Sequence, residues 1–386
     1  MEQEWGKRSE GIIRNVQFKE GTQTSGYSIS YCTFKFQSQE YQFKGDANNL
    51  MLNNIQVVIP MAGLGTRLRP HTWSKPKQLL SVAGKPVIDH VLDTLSSLPD
   101  VANIELISIV GYLGEQIEDH IQATYPQIES RFVLQDDPRG QSHAIYLAKD
   151  FLSGPMMVVF ADTLLETDLS FLADETAEAV AWVKPVPDPR RFGVAVIDGQ
   201  GWVTRLIEKP GDMDNNLAVV GFYYFKSAEN LISAIEEQIE RDTQIKGEFF
   251  LADAVNIMLE RGLKMRTQKV DVWLDAGTPE ALLETNRYLL DNGHNTSAEA
   301  LDRKDVVLIP PVFIHPTASI ENAVIGPYVS IGSGACIRRS ILSNSILEDE
   351  AEVMEVILES SLIGRKAQIT RRAAVINAGD HTVVTL

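Results

Sequence analysis

IQVVIPMAGLGTRLRPHTWSKPKQLLSVAGKPVIDH, residues 55–90, joins a short apolar run to a glycine loop and then to spaced cations. Ile55, Val57, Val58 and Ile59 form a run short and branched enough for a buried parallel strand. The loop from Ala62 to Gly65 follows at its carboxyl end, the edge where open α/β sheets bind ligands. Gly63 and Gly65 lack Cβ atoms, so backbone N–H groups can approach phosphate oxygens closely. Arg67, Arg69, Lys75 and Lys77 then offer charge to a polyanion. Two familiar glycine loops fail on spacing: Leu68 stands where a dinucleotide fingerprint needs its third glycine, and Gly65-Thr66-Arg67 is not the Gly-Lys-Ser/Thr of a P-loop.

Outward from this loop, strands and helices alternate. Val87, Val91, Leu92, Leu95 and Leu98 keep a helical period. NIELISIV (103–110), RFVLQ (131–135) and MMVVFAD (156–162) read as strands, with helices at QIEDHIQATY (116–125) and SHAIYLAKDFL (142–152) between them. Such alternation predicts parallel βαβ units with right-handed crossovers. Later runs near 178–185, 193–198, 202–207 and 218–225 are more hairpin-like. The expected fold over residues 55–295 is therefore α/β, a doubly wound, mostly parallel, Rossmann-like sheet.

From about residue 305 to 386 the pattern changes to short isoleucine-led units. Ile314, Ile320, Ile325, Ile331 and Ile337 recur about every six positions, the period of a hexapeptide solenoid. This resembles a left-handed parallel β-helix, a coil that commonly associates, so a homo-oligomer formed through it is expected. Residues 1–54 are less defined. YSISYCTFKF (27–36) and EYQF (40–43) alternate like a strand pair, and GDANNLMLNN (45–54) reads as a linker. The segment is either a small β module or the product of an early start codon, with Met51 as the true first residue.

Composition bounds the function. An apolar fraction of 44% and a charged fraction of 23% over 386 residues describe an ordinary globular chain of two or three domains. A formal charge of −17 argues against nucleic acid as partner, although local basic loops still suit phosphates. Cys32 and Cys336 are too few and too far apart for a disulfide framework or a zinc site. No apolar run reaches membrane-spanning length, and the N-terminus has no apolar signal core, so a cytoplasmic location without membrane contact is expected.

GLGTRLRP followed by KPKQLL and GKP resembles the signature of the sugar-1-phosphate nucleotidyltransferases, which join a nucleoside triphosphate (NTP) to a sugar 1-phosphate. The resemblance implies that Ala62, Gly63, Gly65 and Thr66 hold the nucleotide, with Gln135 and Gly140 reading the base edge. It implies that Asp162, after VVFA, and Asp275, in VWLDAGT, hold a catalytic Mg²⁺. Arg67 would stabilise the β- and γ-phosphates, and Lys77 the α-phosphate. Losing either cation would remove about 2–4 kcal/mol of transition-state stabilisation. On the sugar side it implies Gly193 for close approach, Glu208 for hydroxyls and Lys209 for the 1-phosphate, with Val219 and Tyr223 closing the pocket. Both Val219 and Tyr223 also read as strand core. His143, at the start of a helix, reads as a cap or packing residue.

WLDAGT and the FGV element look closest to glucose-1-phosphate thymidylyltransferases of the longer type that carries a β-helix, which favours dTTP or UTP with glucose 1-phosphate. Mannose-1-phosphate guanylyltransferases share the RLRP and KP elements and are the main competitor. Two other readings are a bifunctional enzyme whose coil transfers acetyl groups, for which only His315 and His381 are available as bases, and a non-catalytic regulatory subunit. The latter would be free to lose Arg67, Lys77, Asp162, Lys209 or Asp275, and all five are present.

Overall fold

The computed structural model of the chain describes residues 55–296 and 305–370, and the backbone of residues 17–22, 28–36 and 39–46. The chain divides into two compact units, Met1–Asn53 and Asn54–Leu386. In the first, strands Gln17–Thr22, Ser28–Phe36 and Gln39–Asp46 form an antiparallel meander. The alternating runs are paired where they are described, Ser28–Phe36 with Gln39–Asp46, and most of the segment at 45–54 lies outside the described residues.

The second unit is built on a nine-stranded sheet. Strand Gln56–Pro60 lies at its parallel centre, between Glu105–Val110 and Met156–Val159, and Glu129–Leu134 extends the parallel side. Val57, Val58 and Ile59 are fully buried because both sheet faces are covered. Val57 and Ile59 join the core beneath helix Val87–Thr94, while Val58 joins the opposite core with helices Gln141–Leu147, Ala228–Glu240 and Leu251–Glu260. Beyond Met156–Val159 the sheet turns antiparallel at Leu217–Phe225, and Gly193–Ile197 with Val203–Glu208 form the expected hairpin. Only residues 198–202 join the strands of that hairpin, too few for a crossover helix, so this pair reverses.

MMVVFAD does not continue as one strand to its aspartate. Pairing in the large sheet stops at Val159, and Phe160 donates its N–H to Gly221 O at 2.9 Å. After Ala161-Asp162 a new strand, Thr163–Glu166, pairs antiparallel with Val272–Asp275, placing Thr163 opposite Asp275. This two-stranded side sheet sets the distance between the two aspartates.

Residues 306–370 wind into a left-handed β-helix of three four-stranded parallel sheets. Successive coils are seventeen residues long at first, as Val307, Val324 and Ile341 show, and then sixteen, from Ile341 to Ile357. They are shorter than three full hexapeptides because the corners are tight. Asn322, Arg339 and Glu355 stack at one corner with positive φ, Tyr328, Asn344 and Ser360 at a second, and Gly334, Glu350 and Lys366 at the third.

The coil is packed on the α/β part. Ile346 belongs to the core under helix Val87–Thr94, and Phe313, Tyr328 and Leu362 pack against that core. Asn286, on helix Pro279–Asp291, accepts from Ala83 N at 2.9 Å and from Ser330 Oγ at 2.6 Å. Among the described residues no helix is long and apolar enough to cross a membrane.

Candidate active site

The glycine loop is held from behind and open in front. No atom lies within 4 Å of where a Cβ on Gly63 would stand, whereas a Cβ on Gly111 would meet Ala62 O at 2.8 Å, so a second glycine backs the loop. Gly65 adopts φ 61°, and Thr72 Oγ1 donates to its carbonyl at 2.8 Å. Leu68, in place of the third glycine of a dinucleotide fingerprint, is fully buried in a 3-10 turn, so the loop leads into short turns rather than a long helix. Gln78 donates to Met61 O at 3.0 Å, which ties those turns back to the strand end.

Asp162, Asp275, Arg67 and Lys77 come together beside this loop. Lys77 Nζ lies 2.5 Å from Asp162 Oδ2. Asp275 Oδ1 accepts from Gly277 N at 2.9 Å, its carbonyl accepts from Thr285 Oγ1 at 2.8 Å, and Ala276 N donates to Asp162 O at 3.0 Å. A Cβ on Gly277 would lie 2.9 Å from Arg67 Nη2 and 3.0 Å from Asp275 Oδ1, so glycine at 277 leaves room for the guanidinium and the carboxylate on either side of it. Thr278 caps the following helix by accepting from Ala281 N, with Pro279 at the first helical position, so the chain leaves Asp275 in a fixed direction.

The two carboxylates are driven apart electrostatically. Burial raises the pKa of Asp275, and the negative charge of Asp162 raises it further, against the pull of Gly277 N–H, Arg67 and Lys77. Burial opposes ionisation of Asp162 too, but the charge and hydrogen bond of Lys77, with Arg67, outweigh it and hold its pKa below the usual carboxylate range. Two hard oxygen donors that repel one another suit a divalent cation. Among the described residues no third His, Cys, Asp or Glu joins them.

On the other side, Gly193 pairs with Glu208, and a Cβ on Gly193 would lie 3.0 Å from Glu208 Oε2. Lys209 has φ 49°, with its Nζ 4.6 Å from the centre of the Phe250 ring and 3.7 Å from Glu208 Oε1. The pKa of Glu208 is raised by burial, against Lys209 and with help from Asp253. Phe192 packs edge-on to Trp273 at 4.8 Å, linking this corner to the strand of Asp275. Tyr223 is buried, and burial together with the charge of Glu208 raises its phenol pKa. Val219 is buried in the second core among apolar neighbours.

At the third edge, Gln135 is buried with its Nε2 3.0 Å from His143 Nδ1. His143 therefore orients Gln135 rather than capping the helix, and burial, with Arg139, lowers its pKa. Gly140 has φ 97°, and a Cβ there would meet Phe249 N and O at 2.6 Å. The segment Phe249–Leu251 thus staples this loop and carries Phe250 under Lys209, a link invisible in sequence because the partners lie more than a hundred residues apart. Lys75, read above as a substrate cation, instead pairs with Glu348 of the coil at 2.5 Å. His315 is hydrogen-bonded to Thr317 near the start of the coil, and His381 lies outside the described residues.

Residues 56–292 match the family model described as nucleotidyl transferase. The chain belongs to the nucleotidyl transferase family. It is 31% identical over 361 residues to the low-salt glycan biosynthesis nucleotidyltransferase Agl11 of Haloferax volcanii, covering 85% of this chain and 97% of that protein. It is 27% identical over 358 residues to a glucose-1-phosphate thymidylyltransferase of Streptomyces griseus, covering 85% of this chain and 98% of that one. The bifunctional protein GlmU of Methanocaldococcus jannaschii is 35% identical over 271 residues, but the match covers 68% of this chain and 61% of that protein. A crystal structure from Bacillus anthracis, provisionally named a glucose-1-phosphate thymidylyltransferase and bound to sucrose, superposes with a TM-score of 0.53 at 26% identity, covering 64% of this chain and 98% of that one.

Proposed function

We propose that this nucleotidyltransferase transfers a nucleoside monophosphate from dTTP or UTP to glucose 1-phosphate, giving a nucleotide sugar and pyrophosphate. The observation that carries the reading is the cluster of Asp162, Asp275, Lys77 and Arg67 at the mouth of a glycine loop on the central parallel strand. An oxygen of the sugar phosphate attacks the α-phosphorus, a new P–O bond forms, and the bond to the departing pyrophosphate breaks. Such a reaction needs alignment and neutralisation of charge more than covalent help. The backbone of Ala62–Thr66 would receive the phosphates, Arg67 the β and γ groups and Lys77 the α group. Mg²⁺ held by Asp162 and Asp275 would neutralise phosphate charge when bound. Glu208, Gly193 and Lys209 would bind glucose 1-phosphate, Tyr223 and Val219 would back that pocket, and Gln135 and Gly140 would select the base. The α/β part, 55–295, and the coil, 305–386, are proposed as separate domains of a cytoplasmic protein.

We further propose self-association through the coil. Val307, Val324, Ile341 and Ile357 stand in one register column, and Val307, Ile341 and Ile357 are 58%, 45% and 75% exposed. The neighbouring corner charges, Arg339 with Glu355, already pair within the chain, so a second copy could cover the column without stranding them.

Incubating the protein with Mg²⁺, glucose 1-phosphate and each NTP in turn, while following pyrophosphate, tests the function. Release with dTTP or UTP is expected. Release only with GTP and mannose 1-phosphate would replace the substrate pair, and silence with every sugar phosphate would favour the regulatory reading.

A further inference from the structure

Lys75 and Ser81 bracket the short segment that presents Lys77, and one carboxylate of the β-helix grips both ends of it. Glu348, 5% exposed, places Oε2 2.5 Å from Lys75 Nζ and accepts the N–H of Ser81 on Oε1 at 2.8 Å. Between these anchors lie Pro76 and the 3-10 turn Lys77–Leu79, and Lys77 reaches from that turn to Asp162. Glu348 is itself fixed, since it follows strand Ile346–Leu347 and donates its N–H to Ile363 O at 2.9 Å. One coil further on, a Cβ on Gly364 would lie 3.4 Å from His71 Nδ1, and the neighbouring Thr72 holds the carbonyl of Gly65. Two successive coils therefore support the stretch that runs from the glycine loop to Lys77.

We propose that Glu348 is a positioning residue for nucleotidyl transfer, acting through Lys75 and Ser81 to set the place of Lys77. The inference rests on the reading of Lys77 as a cation that serves the reaction. Removing the charge of Glu348 leaves Lys75 half-buried without its partner and frees one end of the segment. Lys77 then loses its alignment with the reacting phosphate, and misplacement on the order of 1 Å costs about 100-fold in rate. An interaction that matters mainly in the transition state lowers kcat more than it raises KM.

The test uses the full chain. Glu348→Gln keeps the shape and the acceptor for Ser81, Lys75→Met removes the same pair from the other side, and Lys75→Glu with Glu348→Lys restores it reversed. Glu355→Gln, at an exposed corner of the coil, controls for general disturbance. The expected result is a kcat lowered about 10–100-fold in Glu348→Gln and in Lys75→Met, with KM for the NTP nearly unchanged. Partial recovery in the charge swap, wild-type kinetics in Glu355→Gln, and faster hydrogen exchange over residues 75–82 in Glu348→Gln are also expected. Wild-type kcat and exchange in folded Glu348→Gln, or an equal loss in Glu355→Gln, would overturn the inference. If Glu348→Gln does not fold, Lys75→Met carries the same expectations. Lys77→Ala separates the two claims: if it is inactive while Glu348→Gln is normal, only the positioning role falls, and if it is fully active the reading of the site falls.

Discussion

Asp162 and Asp275 are a few ångströms of backbone apart across the side sheet, yet protonation affects them in opposite senses. Asp275 has a raised pKa, so its ionised form is disfavoured by folding; that cost is absent at low pH and sets in as pH rises through the carboxylate range. Asp162 has a lowered pKa, so it contributes stability that is present above its unfolded value and lost as pH falls through its folded one. At pH 7 without added metal, Asp275→Asn should therefore raise Tm and Asp162→Asn should lower it, while both lose about 100-fold or more in turnover. Thermal unfolding from pH 7 to pH 4 checks the sign, since the advantage of Asp275→Asn should shrink as the wild-type carboxylate protonates. A common sign for both variants would contradict the asymmetry. At this scale the sequence was readable where chemistry is concentrated in motifs: Gly65, Arg67, Lys77, Asp162 and Asp275 do meet. Gly111, Gly277 and Phe250 carry no mark in the sequence, because each matters through a partner distant in the chain, Ala62, Arg67 and Lys209 respectively.

Among the elements, the β-helix shows how far periodicity carries. Regular isoleucines declare three parallel faces, because every inward position must be apolar. They do not declare the coil length, which depends on φ at the corners. Two corner glycines expose the difference. Gly334 has φ 66°, stacks with Glu350 and Lys366 in the same conformation, and has only Glu350 Cγ near a would-be Cβ, at 3.5 Å. Gly334→Ala should cost about 1–2 kcal/mol. Gly326 has φ 107°, and a Cβ there would lie 2.0 Å from Ile309 O, a backbone atom of the adjacent coil that cannot step aside. Gly326→Ala should cost more than about 4 kcal/mol, and urea unfolding of both variants ranks them. The same limit applies to MMVVFAD, whose apolar run gives no sign that Asp162 lies beyond the end of its strand.

For the molecule as a whole, the exposed column on the coil predicts association. Ile357→Glu places a charge on its most exposed member, and light scattering should show a smaller particle than wild type at equal concentration, with pyrophosphate release per chain retained. An unchanged particle size would place any interface elsewhere. The contact between Lys75 and Glu348 has a different bearing, because 273 residues of chain separate them. A chain growing from the ribosome completes its glycine loop, both aspartates and every cation of the site long before Glu348 is translated. Until the coil closes on Lys75, the newly made enzyme holds its full set of reactive groups with the Lys77 segment unclamped. With Glu348 as the proposed positioning residue, a chain that stalls short of the coil would turn over nucleotide about 10–100-fold more slowly than the finished enzyme.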